Sequence, residues 1–357
     1  EELIDVFDDL PREFEPGDRW AYNNSGYILL GAIIEAAGGT SYSDFVRTRF
    51  FEPLGMDDAH YGCSTCLIPR RASGYGGGPD GYRNQRYLSF TQPYAAGSLM
   101  MTLEDLYRWS RALFGGAVVG EASLKRMTTP YVLNDGDTTG YGYGLGMAEI
   151  RGRRAIRHGG GIFGFVTHAA YLPDDDVFVA VFSNNATGRV DPEMVATKLA
   201  AQAVGDPFPE FEAVALPEDV LRRYVGVYEI EGGGATRTVT VRDGALFTRR
   251  DGGPLNRAHP ASETRFFYRT SLSYFDFVVE DGRVTGMVMH QGGAPEGERA
   301  VKVSDEVSGR EPISLPTSAR LTFEPGEYGR ASAPTLHWGG QATTGPRGAS
   351  DDPGAGR

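Results

Sequence analysis

Phe165-Val166-Thr167-His168-Ala169-Ala170-Tyr171-Leu172-Pro173-Asp174-Asp175-Asp176-Val177-Phe178-Val179-Ala180-Val181-Phe182 decides the fold class. Two β-branched and aromatic runs, Phe165 to Leu172 and Val177 to Phe182, flank a Pro-Asp-Asp-Asp segment with turn chemistry, so they pair as an antiparallel hairpin. Upstream, Tyr141 to Ile150 and Arg153 to Arg157 add two strand-like runs; downstream, a helix from Asp191 to Val204 covers one sheet face. Nearer the N-terminus, Tyr27, Leu30, Ile33 and Ile34 recur at helical spacing from Ser25 to Ala37, with Gly38-Gly39 as a stop. A short helix fits Ser41 to Phe50 before Pro53. Thr102, with Asp105 three residues on, caps an amphipathic helix through Leu106, Trp109 and Leu113 that ends at Gly115-Gly116. An antiparallel sheet flanked by helices is an α+β architecture.

This pattern fills residues 1–205 and is broken by a Pro-containing linker at 206–216. Short β runs follow over 217–304: Tyr224 to Ile230, Thr236 to Val241, Ala245 to Arg249, Arg265 to Tyr268, Tyr274 to Val279 and Val284 to His290. Asp243-Gly244 and Asp281-Gly282 are hairpin turns between them, which predicts a small antiparallel barrel or curved sheet. Residues 305–357, dominated by Gly, Pro, Ser, Thr and Arg, are expected to be disordered.

The charge balance of 35 basic and 47 acidic residues, net -12, argues against a nucleic-acid backbone or an anionic membrane as main partner. With a mean hydropathy of -0.32 and no apolar run of about 18 residues, nothing is expected to span a bilayer. Glu1 rather than Met opens the chain, so the lack of a signal peptide leaves the compartment open. Cys63 and Cys66 are too few for a disulfide framework, and their Cys-x-x-Cys spacing leaves open loop thiols, a local disulfide or half of a metal site. The Gly74 to Gly81 run, with Tyr75 and Tyr82, fits a flexible surface loop or a cleft edge. His60, His168, His259 and His290 have no partner pattern and read as structural.

Two segments could carry chemistry. In Pro16-Gly17-Asp18-Arg19-Trp20-Ala21-Tyr22-Asn23-Asn24-Ser25-Gly26-Tyr27, Pro-Gly forces a turn and Tyr22 and Asn24 lie just ahead of a helix that Asn24 or Ser25 could cap. That reads either as a buried tyrosine beside an N-cap or as a phenol and a carboxamide facing one cleft. In Arg157-His158-Gly159-Gly160-Gly161-Ile162-Phe163-Gly164-Phe165, a histidine ends a strand and three glycines leave backbone N–H groups open to a ligand, as an oxyanion requires. The alternative is a Gly-rich hairpin with a solvated histidine. Tyr141, Tyr143 and Phe163 could line the pocket or simply pack.

Both segments resemble motifs of the β-lactamase-related serine hydrolases: class C β-lactamases, penicillin-binding proteins and their esterase and D-aminopeptidase relatives. Tyr22-Asn23-Asn24 is similar to that family's Tyr-x-Asn, and His158-Gly159-Gly160 to its His-x-Gly. Pro53-Leu54-Gly55-Met56, Ala96-Gly97-Ser98-Leu99, Gly142-Tyr143-Gly144-Leu145-Gly146 and Leu172-Pro173 extend the likeness in order from about Phe14 to Asn185. The resemblance implies the β-lactamase/transpeptidase-like fold and acyl transfer on small esters, amides or D-amino-acid peptides. Tyr22 would move a proton, Asn24 hold a carbonyl and His158 face the leaving group, while backbone N–H groups near Gly159, Gly160, Gly161 and Ile162 would form part of an oxyanion hole. Neither a cofactor nor a metal is implied. One departure is large: the family's nucleophile sits in Ser-x-x-Lys, and the only lysines here, Lys125, Lys198 and Lys302, follow Ala122, Val195 and Arg299 at that spacing. The resemblance therefore implies a hydrolase domain without its N-terminal, nucleophile-bearing part, or a non-catalytic member that binds a peptide or cell-wall ligand in the same cleft.

Overall fold

The computed structural model describes residues 2–307 except 8, 79–80, 87 and 188–190, and beyond them strand residues 320–322, 335–338 and 341–344. Glu1–Asp305 form one compact unit and Glu306–Arg357 a second.

Helix α1 (Asn24–Gly38) starts one residue earlier than expected. Asn23, in extended conformation, caps it by accepting from the Gly26 N–H at 2.8 Å, and Gly39 closes it in the left-handed region. The cap is therefore Asn23, not Asn24 or Ser25, because the capping residue must be the last non-helical one. Helix α2 (Tyr42–Val46) runs on into a π-helical turn, Arg47–Phe51, before Pro53. Tyr42, Val46, Phe51, Met56 and Ala59 form a core under α1. Strand β1 (His60–Tyr61) later pairs with β4 (Leu99–Met100), while β2 (Tyr75–Gly78) and β3 (Gly81–Asn84) make a hairpin that replaces the expected flexible loop. Helix α3 (Leu103–Phe114) is capped as read, with the Thr102 hydroxyl accepting from the Asp105 N–H at 3.1 Å. Helix α4 (Glu121–Met127), which follows Gly120 with no side-chain cap, carried no start signal and was not foreseen.

The central sheet is antiparallel in the order β5 (Gly146–Ile150), β6 (Arg153–Ile162), β7 (Phe165–Leu172) and β8 (Val177–Ser183), with α5 (Pro192–Ala203) packed on it. Two boundaries differ from expectation. Tyr141 is joined only by an isolated bridge to Gly146, because the Gly142 N–H turns back to the Leu145 carbonyl and delays β5. Strand β6 does not end at Arg157: the glycines pair with β7 up to Ile162 opposite Phe165, and Gly164 at φ 83° closes the two-residue turn. Since β5 reaches only Arg157, the other edge of β6 from His158 onward is left unpaired within the sheet.

Residues 206–216 form neither helix nor strand but are anchored. The Arg151 guanidinium bonds Asp206 at 2.7 Å and lies over the Phe208 ring, and Phe211 packs on Phe267 and Tyr274. After α6 (Glu218–Arg222), eight strands close an antiparallel barrel: β9 (Gly226–Ile230), β10 (Thr236–Arg242), β11 (Ala245–Arg250), β12 (Asn256–Pro260), β13 (Arg265–Phe267), β14 (Tyr274–Glu280), β15 (Arg283–His290) and β16 (Glu298–Ser304). β12 and β16 were not foreseen. The fully closed barrel is filled by Tyr224, Tyr228, Phe266, Phe275, Phe277, Met287 and Met289. The expected disorder of 305–357 falls mostly outside the described residues; β17 (Arg320–Thr322), β18 (Thr335–Trp338) and β19 (Gln341–Thr344) pair antiparallel there.

Candidate active site

The extended segment ahead of α1 delivers Tyr22, and the first residue of α1 delivers Asn24, to a cleft whose other wall is β6 with His158. Tyr22 is 55% exposed, so the buried-tyrosine reading fails. Its ring lies 6.1 Å from the His158 ring and 6.3 Å, edge-on, from that of Tyr141. Tyr141 and His158 meet directly, with the phenol oxygen 2.8 Å from Nε2, while Nδ1 lies 2.6 Å from the Gly159 carbonyl oxygen. A carbonyl can only accept, so Nδ1 carries the proton and Nε2 accepts from the Tyr141 hydroxyl. Burial, reinforced by the nearby Tyr27 and Tyr22 phenols, pushes the Tyr141 phenol up to about 12, which keeps that donor protonated. The Tyr27 phenol is also raised, chiefly by burial.

Gly159, Gly160 and Gly161 are exposed on the unpaired side of β6. A Cβ on Gly160 would come within 2.6 Å of the Thr167 hydroxyl, whereas one on Gly161 would meet nothing within 4 Å. The missing side chain at Gly161 thus has no packing reason; what it does is bare the backbone to the cleft. Ile162 and Phe163 continue this wall, and Phe163 is 41% exposed.

The cleft holds about 1460 Å³ between α3 and the β6–β8 face, with an apolar floor that includes Leu106, Trp109, Leu113, Ile156, Phe178 and Phe182. Leu29, Leu30 and Ile33 of α1 are also exposed. Most of the cleft's charges are spoken for: Arg157 pairs with Glu193, and Arg70 with Asp58 at 2.9 Å. His168, only 6% exposed, is held below the usual imidazole value by burial first and by Arg157 second. No lysine lines the cleft among the described residues, and among them no group of three or more His, Cys, Asp or Glu gathers as a metal site. Cys63 and Cys66 form a local disulfide, which decides among their open readings.

Sequence reasoning missed the contacts that hold the site together. Trp20 packs on Tyr141 with tilted rings 5.4 Å apart, and the Tyr27 hydroxyl sits where a Cβ on Gly144 would come within 3.1 Å. The alternation of Trp20 and Tyr22 in an extended segment, which places both on one side, was the available signal. Tyr143, 61% exposed, does not reach His158; with Trp20, Tyr131, Tyr141, Lys125 and Arg126 it lines a separate groove of about 490 Å³.

Residues 1–204 match the beta-lactamase family model, and residues 211–307 match a domain of unknown function (DUF3471). The chain is 29% identical over 320 residues to penicillin-binding protein 4* of Bacillus subtilis, covering 83% of this chain and 70% of that protein. It is 25% identical over 215 residues to a D-aminopeptidase of Gluconobacter oxydans, covering 60% of this chain and 40% of the relative. The octameric penicillin-binding protein homologue from Pyrococcus abyssi superposes with a TM-score of 0.51 at 24% identity, over 81% of this chain and 66% of that one, a likeness of fold. Among the described residues no helix is long and apolar enough to cross a membrane. The family model spans more than half of the chain and takes in both walls of the cleft, so this chain belongs to the beta-lactamase family.

Proposed function

We propose that the chain supplies the proton-transfer and carbonyl-binding half of an acyl-transfer site in a serine hydrolase that cleaves small amides, peptides or esters, D-amino-acid derivatives included. The carrying observation is the convergence of Tyr22, Asn24, His158 and the unpaired glycine edge of β6 on one cleft. A D-aminopeptidase and a penicillin-binding protein among the relatives support this substrate class. In the reaction a serine oxygen bonds to the carbonyl carbon, its proton passes through Tyr22 to the leaving amine or alcohol, and water then releases the acyl group by the reverse relay. Asn24 orients the acyl amide, and the N–H groups of Gly159 and Gly161, which alternation leaves on the open edge of β6, stabilise the oxyanion. Because none of the 357 residues is a Ser or Thr followed three residues later by Lys, the nucleophile comes from outside them. That same absence favours the second reading, a non-catalytic member that binds peptides in this cleft.

A fluorophosphonate probe and a nitrophenyl ester, applied to this chain and to the protein extended to its native start, separate the two. Labelling and an acyl-enzyme burst in the extended protein alone support the hydrolase, and Tyr22→Phe is then expected to lower turnover by about 10² to 10⁴. A burst from the 357-residue chain itself would overturn the external nucleophile, and an unlabelled extended protein leaves the binding reading.

A further inference from the structure

Arg86 is the one cleft-lining cation that the described structure does not account for. It follows the β2–β3 hairpin, and its guanidinium lies 4.6 Å over the ring of Phe163, the residue just past the end of β6. Arg157 and Arg70 have carboxylate partners, and Arg71 donates to the Cys63 carbonyl at 2.8 Å. Arg86 is exposed and makes no ion pair among the described residues.

Its position is built rather than incidental. The Tyr75 N–H donates to the Asn184 carbonyl at 2.8 Å, the Ala186 N–H to the Tyr75 carbonyl at 3.1 Å, and the Gln85 N–H to the Gly74 carbonyl at 2.9 Å. The first two bonds tie the β2 stem to the residues just after β8, and the third joins the stem that leads to Arg86 to the β2 stem. Gly74 also lies so close to Gly164 that a Cβ there would come within 2.6 Å of its backbone. One face of the guanidinium rests on an aromatic ring, which leaves its edge donors for a planar anion.

We propose that Arg86 is a specificity-determining residue that binds a carboxylate on a peptide lying along the open edge of β6. The proposal rests on the acyl-transfer cleft described above and names its substrate class: acidic peptides. At roughly 3.3 Å per residue, Gly161, whose N–H faces the open edge, and Phe163 are separated by about 7 Å, so the acid lies about two residues from the group held at Gly161. A chain that adds to a free strand edge takes affinity from backbone bonds and selectivity from such side-chain contacts.

The test is calorimetric titration of the 357-residue chain with acetyl-Gly-Gly-Glu-amide and acetyl-Gly-Gly-Gln-amide, each with L and D forms of the last residue. The Glu peptide is expected to bind roughly fivefold tighter at low salt, a margin kept small by the exposure of Arg86 and narrowed by added salt. Arg86→Ala should erase the preference without lowering affinity for the Gln peptide, and Arg86→Lys should restore part of it. Equal affinity for the two peptides, or a preference that survives Arg86→Ala, overturns the Arg86 assignment alone. If neither peptide binds, the cleft is not a peptide site, and the substrate reading falls together with the proposal.

Discussion

Replacing Gly164 with alanine tests whether the β2–β3 hairpin is held to the β6–β7 wall of the cleft by backbone contact. Gly164 has φ 83°, and a Cβ there would lie 2.6 Å from the Gly74 Cα and carbonyl carbon and 2.9 Å from the Tyr75 nitrogen. All three are backbone atoms, so no side chain can swing away. The left-handed conformation costs a non-glycine residue about 1 to 2 kcal/mol. Restoring ordinary contact requires a displacement on the order of 1 Å, with overpacking worth a further 1 to 3 kcal/mol or so. The expected loss is about 2 to 5 kcal/mol, unless the hairpin lifts away and gives up the Tyr75 and Ala186 hydrogen bonds instead, at about 1 kcal/mol each. Thermal unfolding measures the first outcome, and hydrogen exchange at the Tyr75 and Ala186 amides measures the second. Gly161→Ala is the internal control: that site has no neighbour within 4 Å and no positive φ, and should change stability by less than about 0.5 kcal/mol. A Gly164→Ala protein with wild-type melting and unchanged exchange at Tyr75 would refute the reasoning.

His168 is held neutral in the fold, so below the usual imidazole value of 6.5 the unfolded chain takes up a proton that the native state resists. Stability should fall with pH from there down to the depressed native value, and His168→Gln should flatten that limb in melts taken between about pH 7.5 and pH 5; parallel limbs in both proteins would contradict this. In the barrel, Phe277 is 4% exposed, stacks on Tyr224 at 4.1 Å and meets Phe266 and Phe275 at 5.4 Å each. We propose that residues 211–307 melt cooperatively on their own, with Phe277→Ala costing about 3 to 5 kcal/mol and lowering Tm by about 12 °C or more; a non-cooperative melt would show that the barrel depends on the rest of the chain.

What could be read in advance is what local rules govern. The Phe165–Phe182 hairpin, the Thr102 cap and the Gly39 stop are each fixed by a few adjacent residues, and the observed elements begin and end within a residue or two of expectation. Strand β6 was cut short at Arg157 because three glycines have low intrinsic strand preference; pairing with β7, a tertiary effect, carries it to Ile162. Strands β12 and β16 were lost for a similar reason. Asn256–Pro260 lacks a hydrophobic alternation, and Glu298–Ser304 interleaves charges with its apolar residues, so only barrel closure specifies either. Around the cleft, the motifs named Tyr22 and His158, but no motif signalled that Tyr141, which lies 17 residues before the histidine, would bond to it.

That bond bears on which group moves the proton. Both His158 nitrogens are engaged, Nδ1 as donor to the Gly159 carbonyl and Nε2 as acceptor from Tyr141, so the ring has no free lone pair to act as a base. Tyr141 is itself a poor candidate: its raised pKa makes it a firm donor and a reluctant acid. Tyr27 is likewise raised and lies behind Gly144. Of the phenols gathered here, Tyr22 is the most open, 55% exposed and with its ring within 6.3 Å of both partners. Proton transfer in the proposed reaction therefore falls to Tyr22, and the His158–Tyr141 pair acts as a fixed wall that sets the position of a substrate group beside it. Histidine at this point of β6 contributes shape and a satisfied hydrogen-bond pair. The side chain proposed to meet an anionic substrate is Arg86, which stands where β6 ends.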